Sequence, residues 1–384
     1  MDGSNEAKIR VVNITEEGRY GGPHKRIMEV AAGLKERGIE TTVVFPDADS
    51  EPYQEKLVEK QVPFETLSLH RISKSPTELF WYVTLFPWEV FKLCRLLKRL
   101  KAQVVHCNGS YQVKGMLAAK LAGCRRVWHM NDTFMPSYIR LFFRMASWLA
   151  ADKFIAASNR TAQYYFPNNY GDIQIVPAPI ETNDFSIKSV VPDEKVGRLS
   201  GTIFATVANL NPIKGYRTLL PAVKYLRDKT DQEFQVVAVG KHLKNQKAYI
   251  TELETFKAEN KLDNFHFWGA SNKVKEILAA SDIYICASDF ESSPISVWEA
   301  MSMSLPVVST DVGDVRKIVE DSDCGVVCES QNPEALADAM FKMISIEKND
   351  QKRMGTQARA NAESLFDSSI CLRNHERVYR ELVS

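Results

Sequence analysis

No uninterrupted apolar run in this chain approaches the ~18–20 residues that cross a bilayer, so no spanning helix is expected. Neither sign of charge is in excess. Lys and Arg number 49 against 48 Asp and Glu, a net charge of +1, too little to attract nucleic acid. Cysteine is sparse: Cys94, Cys107, Cys124, Cys286, Cys324, Cys328 and Cys371 are odd in number and scattered. They read as buried, reduced thiols of a cytoplasmic protein. Cys324 and Cys328 lie too far from other Cys or His pairs for a zinc site. The GxGxxG fingerprint is missing, which argues against a Rossmann dehydrogenase, and Lys214-Gly215 is not a Walker A loop. Low-complexity tracts and internal sequence repeats are also missing. The opening MDGSNEAKIR is polar before it enters a strand, so no secretory leader is expected.

What is present is an α/β rhythm that runs twice. The 384 residues exceed one ordinary core, so two domains are the prior. Lys8–Ile14 reads as a strand, Gly21-Gly22 as a loop, the run from Pro23 to Arg37 as a helix and Ile39–Phe45 as a second strand. This is the usual start of a doubly wound parallel sheet. Gly21-Gly22 suits either close backbone approach by a phosphate or sugar, or a tight turn with unusual φ. The rhythm continues through strands near 64–68, 103–107, 126–130, 153–157 and 173–176. His129 ends one of them, where open α/β sheets bind ligands. Asn183–Gly201 is polar and aperiodic and reads as an interdomain linker. A second rhythm then starts at Thr202–Val207, with Lys214 in its first loop and Gly240 ending its second strand.

The stretch from Ala287 to Ser304, ASDFESSPISVWEAMSMS, organises the second half. A buried strand ending at Cys286 leads into a loop carrying Glu291. Pro294 suits the first turn of a helix capped by Ser292 or Ser293, and Glu299 lies inside that helix. Two carboxylates thus flank a helix N-terminus, which favours phosphate, while carboxylates accept hydrogen bonds from sugar hydroxyls. A nucleotide sugar carries groups in the same order. Asp47-Ala48-Asp49 and Asp321-Ser322-Asp323 resemble a paired-aspartate metal motif but lie in polar turns, and no metal site is assigned.

Glu78–Lys101, ELFWYVTLFPWEVFKLCRLLKRLK, crowds aromatics ahead of Lys92, Arg95, Lys98, Arg99 and Lys101. Residues 134–144 have similar character. Aromatics with Lys and Arg on an amphipathic helix suit a membrane surface, and a core helix with a solvated basic face is the alternative. Pro87 is expected to break or kink this helix.

The run Glu291 to Val319, ESSPISVWEAMSMSLPVVSTDVGDVRKIV, resembles the E-x7-E block and following P-V-V-x-T-D-V-G of the family-four retaining glycosyltransferases. Gly21-Gly22-Pro23, Asn209-Leu210 with Lys214-Gly215, Val239-Gly240 and Gly269 follow in the family's order over most of the chain. The resemblance implies an α/β, GT-B architecture, with two Rossmann-like doubly wound parallel-sheet domains facing a cleft. An acceptor domain would span 1–185 and a nucleotide-sugar domain 186–367, with a helix at 368–384 crossing back. It also implies a hexosyltransferase that is retaining and metal-independent, with no cofactor beyond a UDP- or GDP-sugar substrate.

By the same resemblance Glu291, His129 and Lys214 would be catalytic. Glu291 would face the donor sugar, Lys214 would pair the diphosphate and His129 would sit at the reacting face. Gly21, Gly22, Asn209, Gly240, Ser292, Ser293, Pro294, Ile295, Ser296 and Glu299 would bind the donor, with Glu299 on the ribose hydroxyls. Asn209 stands where the family often has arginine, which leaves Lys214 as the main cation of that loop. The implied acceptor is a glycan or lipid-linked glycan in cell-surface polysaccharide synthesis. The implied location is cytoplasmic, peripheral on the membrane face through 78–101 and 134–144. A GT-B nucleotide-sugar epimerase and a non-catalytic nucleotide-sugar-binding subunit are the alternatives. Front-face attack, with the departing phosphate oxygen taking the acceptor proton, is the mechanism these residues suit.

Overall fold

A computed structural model describes residues 8–72, 75–168 and 173–384, except the side chains of Phe142, Ala146, Trp148, Leu149 and Lys244. The expectation for the first seven residues and that for the Phe142 side chain lie outside these. The chain forms two compact units. One is Met1–Ala178 with Ser369–Ser384, and the other is Pro179–Ser368.

The first unit is a seven-stranded sheet: β1 (Ile9–Thr15), β2 (Ile39–Pro46), β3 (Phe64–Leu67), β4 (Val104–Asn108), β5 (Arg125–Met130), β6 (Lys153–Ala156) and β7 (Ile173–Ile175). The order is β3-β2-β1-β4-β5-β6-β7, with every pair parallel. Such strands are covered on both faces, and successive residues are buried along their middles, as at Val11-Val12, Val43-Val44 and Val104-Val105. Val12 and Ile14 enter the core under helices Pro76–Arg99, Val113–Ala122 and Ser137–Ala150. Ile9 and Val11 enter the core under Gly22–Lys35 and the last helix, Ser368–Val383. Cys371, Val378, Tyr379 and Leu382 of that helix are buried against β1, β4, β5 and β6.

The second unit is a six-stranded parallel sheet: β8 (Thr202–Val207), β9 (Phe234–Val239), β10 (Phe265–Gly269), β11 (Ile283–Cys286), β12 (Val307–Thr310) and β13 (Gly325–Cys328). Its order is β10-β9-β8-β11-β12-β13. In each sheet the order reverses once, between β1 and β4 and between β8 and β11. Ligands of open α/β sheets settle beyond the carboxyl ends of the strands at such reversals.

Three local expectations change. Asn183–Gly201 is not a free linker: Phe185 and Val196 are buried in the second unit's cores, and the chain changes units at Ala178–Pro179 instead. Two apolar anchors in an otherwise polar stretch were enough to dock it. Pro87 lies inside one continuous helix, Pro76–Arg99. It is on the exposed side, where water can satisfy the carbonyl its missing N–H leaves unpaired. Pro294 itself, rather than Ser292 or Ser293, is the cap residue of helix Ile295–Ser302. Ser293 Oγ instead accepts from Trp298 Nε1 at 3.0 Å.

Candidate active site

In the second unit, Lys214 and Glu291 come from the two loops at the sheet reversal. Lys214 ends a short 3-10 turn, Pro212–Lys214, capped where Ile213 N donates to Asn211 Oδ1 at 3.2 Å. Gly215 follows at φ 70°, and a Cβ there would lie 1.7 Å from the Ala287 carbonyl oxygen. Only glycine lets this loop rest on the end of β11. Asp289 N donates to Ile213 O at 2.9 Å and closes the contact. The result is an ion pair between Lys214 Nζ and Glu291, two groups far apart in sequence. Ser288 Oγ donates to the same Glu291 oxygen at 3.2 Å. Thr310 Oγ1 donates to Ser288 O at 2.6 Å, and Gly313, at φ 52°, is packed against the Ser292 carbonyl. The Glu291 loop is therefore braced from three sides and its carboxylate is prepositioned.

Helix Ile295–Ser302 starts directly after this loop, and its cap residue, Pro294, makes no side-chain capping bond, so its N-terminal N–H groups and positive dipole end lie next to the Glu291 loop. Trp298, 1% exposed, stacks on Phe366 at 3.9 Å and fixes the helix axis. Ser296 hydrogen-bonds the buried Tyr284 hydroxyl, and Glu299 is 9% exposed beside the same tyrosine. Burial drives the Tyr284 phenol far above its ordinary value. Asn209 accepts from Lys241 N at 3.0 Å, tying the loops after β8 and β9 together rather than offering a charge. Gly240 serves the same junction: a Cβ would sit 1.9 Å from Ala208 O.

In the first unit, Gly21 caps helix Gly22–Lys35 with φ −160°, ordinary extended backbone, so unusual φ does not explain it. A Cβ on Gly21 would meet only His24 Nδ1, at 4.0 Å. The glycine made necessary by packing is Gly18, where a Cβ would press on the Pro46 and Ala48 carbonyls at 2.6 and 2.5 Å.

His129 is fully buried, and both its ring nitrogens are engaged. Arg26 Nη1 lies 2.6 Å from Nε2, and His106 Nε2 lies 3.0 Å from Nδ1. Arginine can only donate. Nε2 of His129 must therefore accept, Nδ1–H donates to His106 Nε2, and His106 Nδ1–H donates to Tyr379 OH at 2.6 Å. As placed, His129 has no nitrogen left for a substrate. It orders a chain linking helix Gly22–Lys35 to the last helix. Arg26 also donates to Asn131 Oδ1 at 2.8 Å and to Asn108 Oδ1. Burial lowers Arg26 to about 10, and burial with the Arg26 charge holds His129 well below the ordinary imidazole value.

The ring nitrogens of His106, His129 and His375 lie within 4.8 Å of one another, the donor set of a metal site. The Arg26 guanidinium bonded to His129 Nε2 occupies one donor and repels a dication, so this set does not fit a metal.

Sequence reasoning passed over Arg26, because it sits among the apolar helix positions Ile27 and Val30. It also passed over Glu16 and Asp132. Burial and the nearby Asp132 charge push Glu16 up to about 8, against the opposing pull of Lys114 and Arg71. Asp132 accepts from Tyr165 OH at 3.0 Å, and Tyr165 OH also accepts from Ser110 Oγ at 2.6 Å. These groups lie beyond the ends of β1, β4 and β5, and their positions after strands were the only signal.

The comparisons with known proteins agree with this architecture. Residues 193–361 match the family described as Glycosyl transferases group 1, and residues 20–184 match Glycosyltransferase Family 4. The N-acetyl-alpha-D-glucosaminyl L-malate synthase of Bacillus anthracis is 24% identical over 59% of this chain and 57% of that protein. The UDP-Gal:alpha-D-GlcNAc-diphosphoundecaprenol alpha-1,3-galactosyltransferase of Escherichia coli is 24% identical over 66% of this chain and 69% of its own. Anabaena HepE, solved with UDP and glucose, superimposes with a TM-score of 0.78 at 16% identity, covering 97% of this chain and all of that one. Two parallel Rossmann-like sheets with site loops at their reversals define the GT-B class of fold. The chain belongs to the family-four glycosyltransferases.

Proposed function

We propose that this protein is a retaining glycosyltransferase that moves a hexose or N-acetylhexosamine from a UDP- or GDP-sugar to a glycan or lipid-linked glycan, in polysaccharide synthesis. The observation that carries the reading is the Lys214–Glu291 pair in the loops that lead into the N-terminus of helix Ile295–Ser302. A departing nucleoside diphosphate gains negative charge. A lysine ammonium and a helix N-terminus stabilise that charge without a metal. Glu291, once Lys214 turns to the diphosphate, has two oxygens for sugar hydroxyls. Front-face attack suits a site that stabilises the departing diphosphate in this way, and the leaving phosphate oxygen takes the acceptor proton. Two similar proteins support the donor and acceptor classes: HepE was solved with UDP, and the Escherichia coli galactosyltransferase is named for a diphosphoundecaprenol acceptor.

The test is nucleotide release from a panel of UDP- and GDP-sugars with and without lipid-diphosphate glycan acceptors. Acceptor-dependent release is expected. Release without acceptor identifies an epimerase. Donor binding without release identifies a non-catalytic subunit, the reading favoured by Asn209, whose side chain is spent on Lys241 N.

A further inference from the structure

The first sheet carries acidic groups of its own where its strand order reverses. β1 ends at Thr15 and β4 at Asn108. Glu16 and Gly109 come next, and a Cβ built on Gly109 would lie 3.9 Å from Glu16 Oε2. The Glu16 carboxyl thus sits just beyond the carboxyl ends of β1 and β4, where open α/β sheets take ligands. It is half-buried, yet among the described residues nothing hydrogen-bonds it. Carboxyls so withdrawn from water are ordinarily hydrogen-bonded, and a ligand hydroxyl would supply the missing partner.

Asp132, just past β5, is the second acid. Its Oδ1 accepts from Tyr165 OH at 3.0 Å and from Phe134 N at 3.2 Å. Its Oδ2 meets Ser110 Oγ at 3.4 Å, but that hydroxyl gives its hydrogen to Tyr165 at 2.6 Å. One oxygen therefore fixes the group and leaves the other open. Burial, then the Asp132 charge, pushes Glu16 up to about 8 against Lys114 and Arg71. At neutral pH Glu16 keeps its proton, so it can donate one hydrogen bond and accept another, while Asp132 accepts. Tyr111 is near enough to both acids for their charges to raise its phenol beyond what burial does. An aromatic ring beside two carboxyls suits a sugar, which has hydroxyls at its rim and an apolar face.

Charge narrows the ligand further. Lys114 is bonded to Glu89 and the His70 carbonyl, Arg71 to Glu17, and Arg26 to His129, Asn108 and Asn131. A ligand carboxylate or phosphate would meet the Asp132 charge with none of these three cations turned to it, and like charges side by side are strongly disfavoured. Neutral hydroxyls meet no such cost.

We propose that Glu16 and Asp132 clamp two hydroxyls of the acceptor's terminal sugar and so restrict this protein to acceptors that are uncharged at the reacting end. That the ligand is the acceptor rests on the transferase reading; that the carboxyl pair holds a neutral sugar does not.

The experiment is a saturation-transfer NMR titration of the full chain at pH 7 with UDP present. The probes are the p-nitrophenyl glycosides of glucose, galactose, mannose and N-acetylglucosamine, and those of glucuronic and galacturonic acid. At least one neutral glycoside is expected to bind the parent about tenfold or more tighter than either uronide. Glu16→Ala should weaken that glycoside about tenfold. Glu16 bonds nothing else among the described residues, so the melting of this variant at pH 7 should match the parent's. Glu16→Gln with Asp132→Asn removes the charge and keeps the shape, and should bring the better uronide within about threefold of the neutral glycoside. The proposal is overturned if no neutral glycoside binds the parent, if the uronides bind it as tightly, if Glu16→Ala binds like the parent, or if the double amide variant still rejects the uronides. Nucleotide release reports on the other reading. The expected binding without acceptor-dependent release removes the transferase and leaves the clamp, whereas release with an acceptor KM unchanged in Glu16→Ala removes the clamp and leaves the transferase.

Discussion

Glu291→Gln separates two roles that most substitutions at this site would confound. Lys214 is held by Glu291, with the two side chains 27% and 19% exposed. At an effective dielectric near 20, a pair about 4 Å apart gains about 4 kcal/mol of gross attraction. Partial exposure returns most of that to solvation, leaving a net of about 1–2 kcal/mol. A diphosphate must compete with Glu291 for the ammonium. Gln keeps the shape and can still accept from Ser288 Oγ but releases the lysine. UDP alone, which offers no donor sugar for Glu291 to bind, is therefore expected to bind the variant as tightly as the parent or up to about tenfold tighter, since 1.4 kcal/mol is one decade. Turnover is expected to fall about 10²–10³-fold, the usual cost of one positioned polar group. Lys214→Met should instead weaken UDP and slow turnover together. Calorimetric titration with UDP and acceptor-dependent UDP release read the two quantities. If Glu291→Gln weakens UDP as much as Lys214→Met does, or leaves turnover unchanged, the assignment of Lys214 to diphosphate and Glu291 to sugar fails.

Three further outcomes follow from burial. His375 is pushed from the ordinary 6.5 down to about 4 by burial and Arg26, so the unfolded chain takes up its proton first as pH falls. Its contribution, roughly 3 kcal/mol, is intact above pH 6.5 and lost between 6.5 and 4. Tm should fall over that window, and His375→Gln should flatten the slope; a Tm constant from pH 7 to 4.5 contradicts the closed cluster. Glu16 has the opposite sign. Its raised value of about 8 means stability declines as pH rises from 4.5 through 8, so Glu16→Gln should gain on the parent at pH 9. The gain is on the order of 1–3 kcal/mol, after discounting the part of Glu16 that water reaches, and a chemical denaturation series at pH 6 and 9 checks it. Gly240→Ala drives a Cβ to 1.9 Å from Ala208 O and should cost about 2–3 kcal/mol with a loss of UDP binding; a parent-like Tm contradicts the close approach.

The sequence by itself determined the repeat of strand and helix, the two-unit plan and the residues beside the second sheet's reversal. A short, wholly apolar run such as Ile283–Cys286, bounded by polar turns and rich in β-formers, suits a buried strand, and Pro294 after Glu291 marks a helix start at short range. The apolar-basic helix from Glu78 was equally legible, because helical periodicity is local. The tertiary structure decided everything that depends on partners distant in the chain. It pairs Lys214 with Glu291 and docks Phe185 and Val196 where polarity suggested a linker. It also encloses His129 between Arg26 and His106, where a strand-end histidine reads as accessible. The reason is physical: a side chain's exposure and protonation are set by what folds over it, here Arg26 and a C-terminal helix carrying Tyr379, and neither can be read from the residues next to His129.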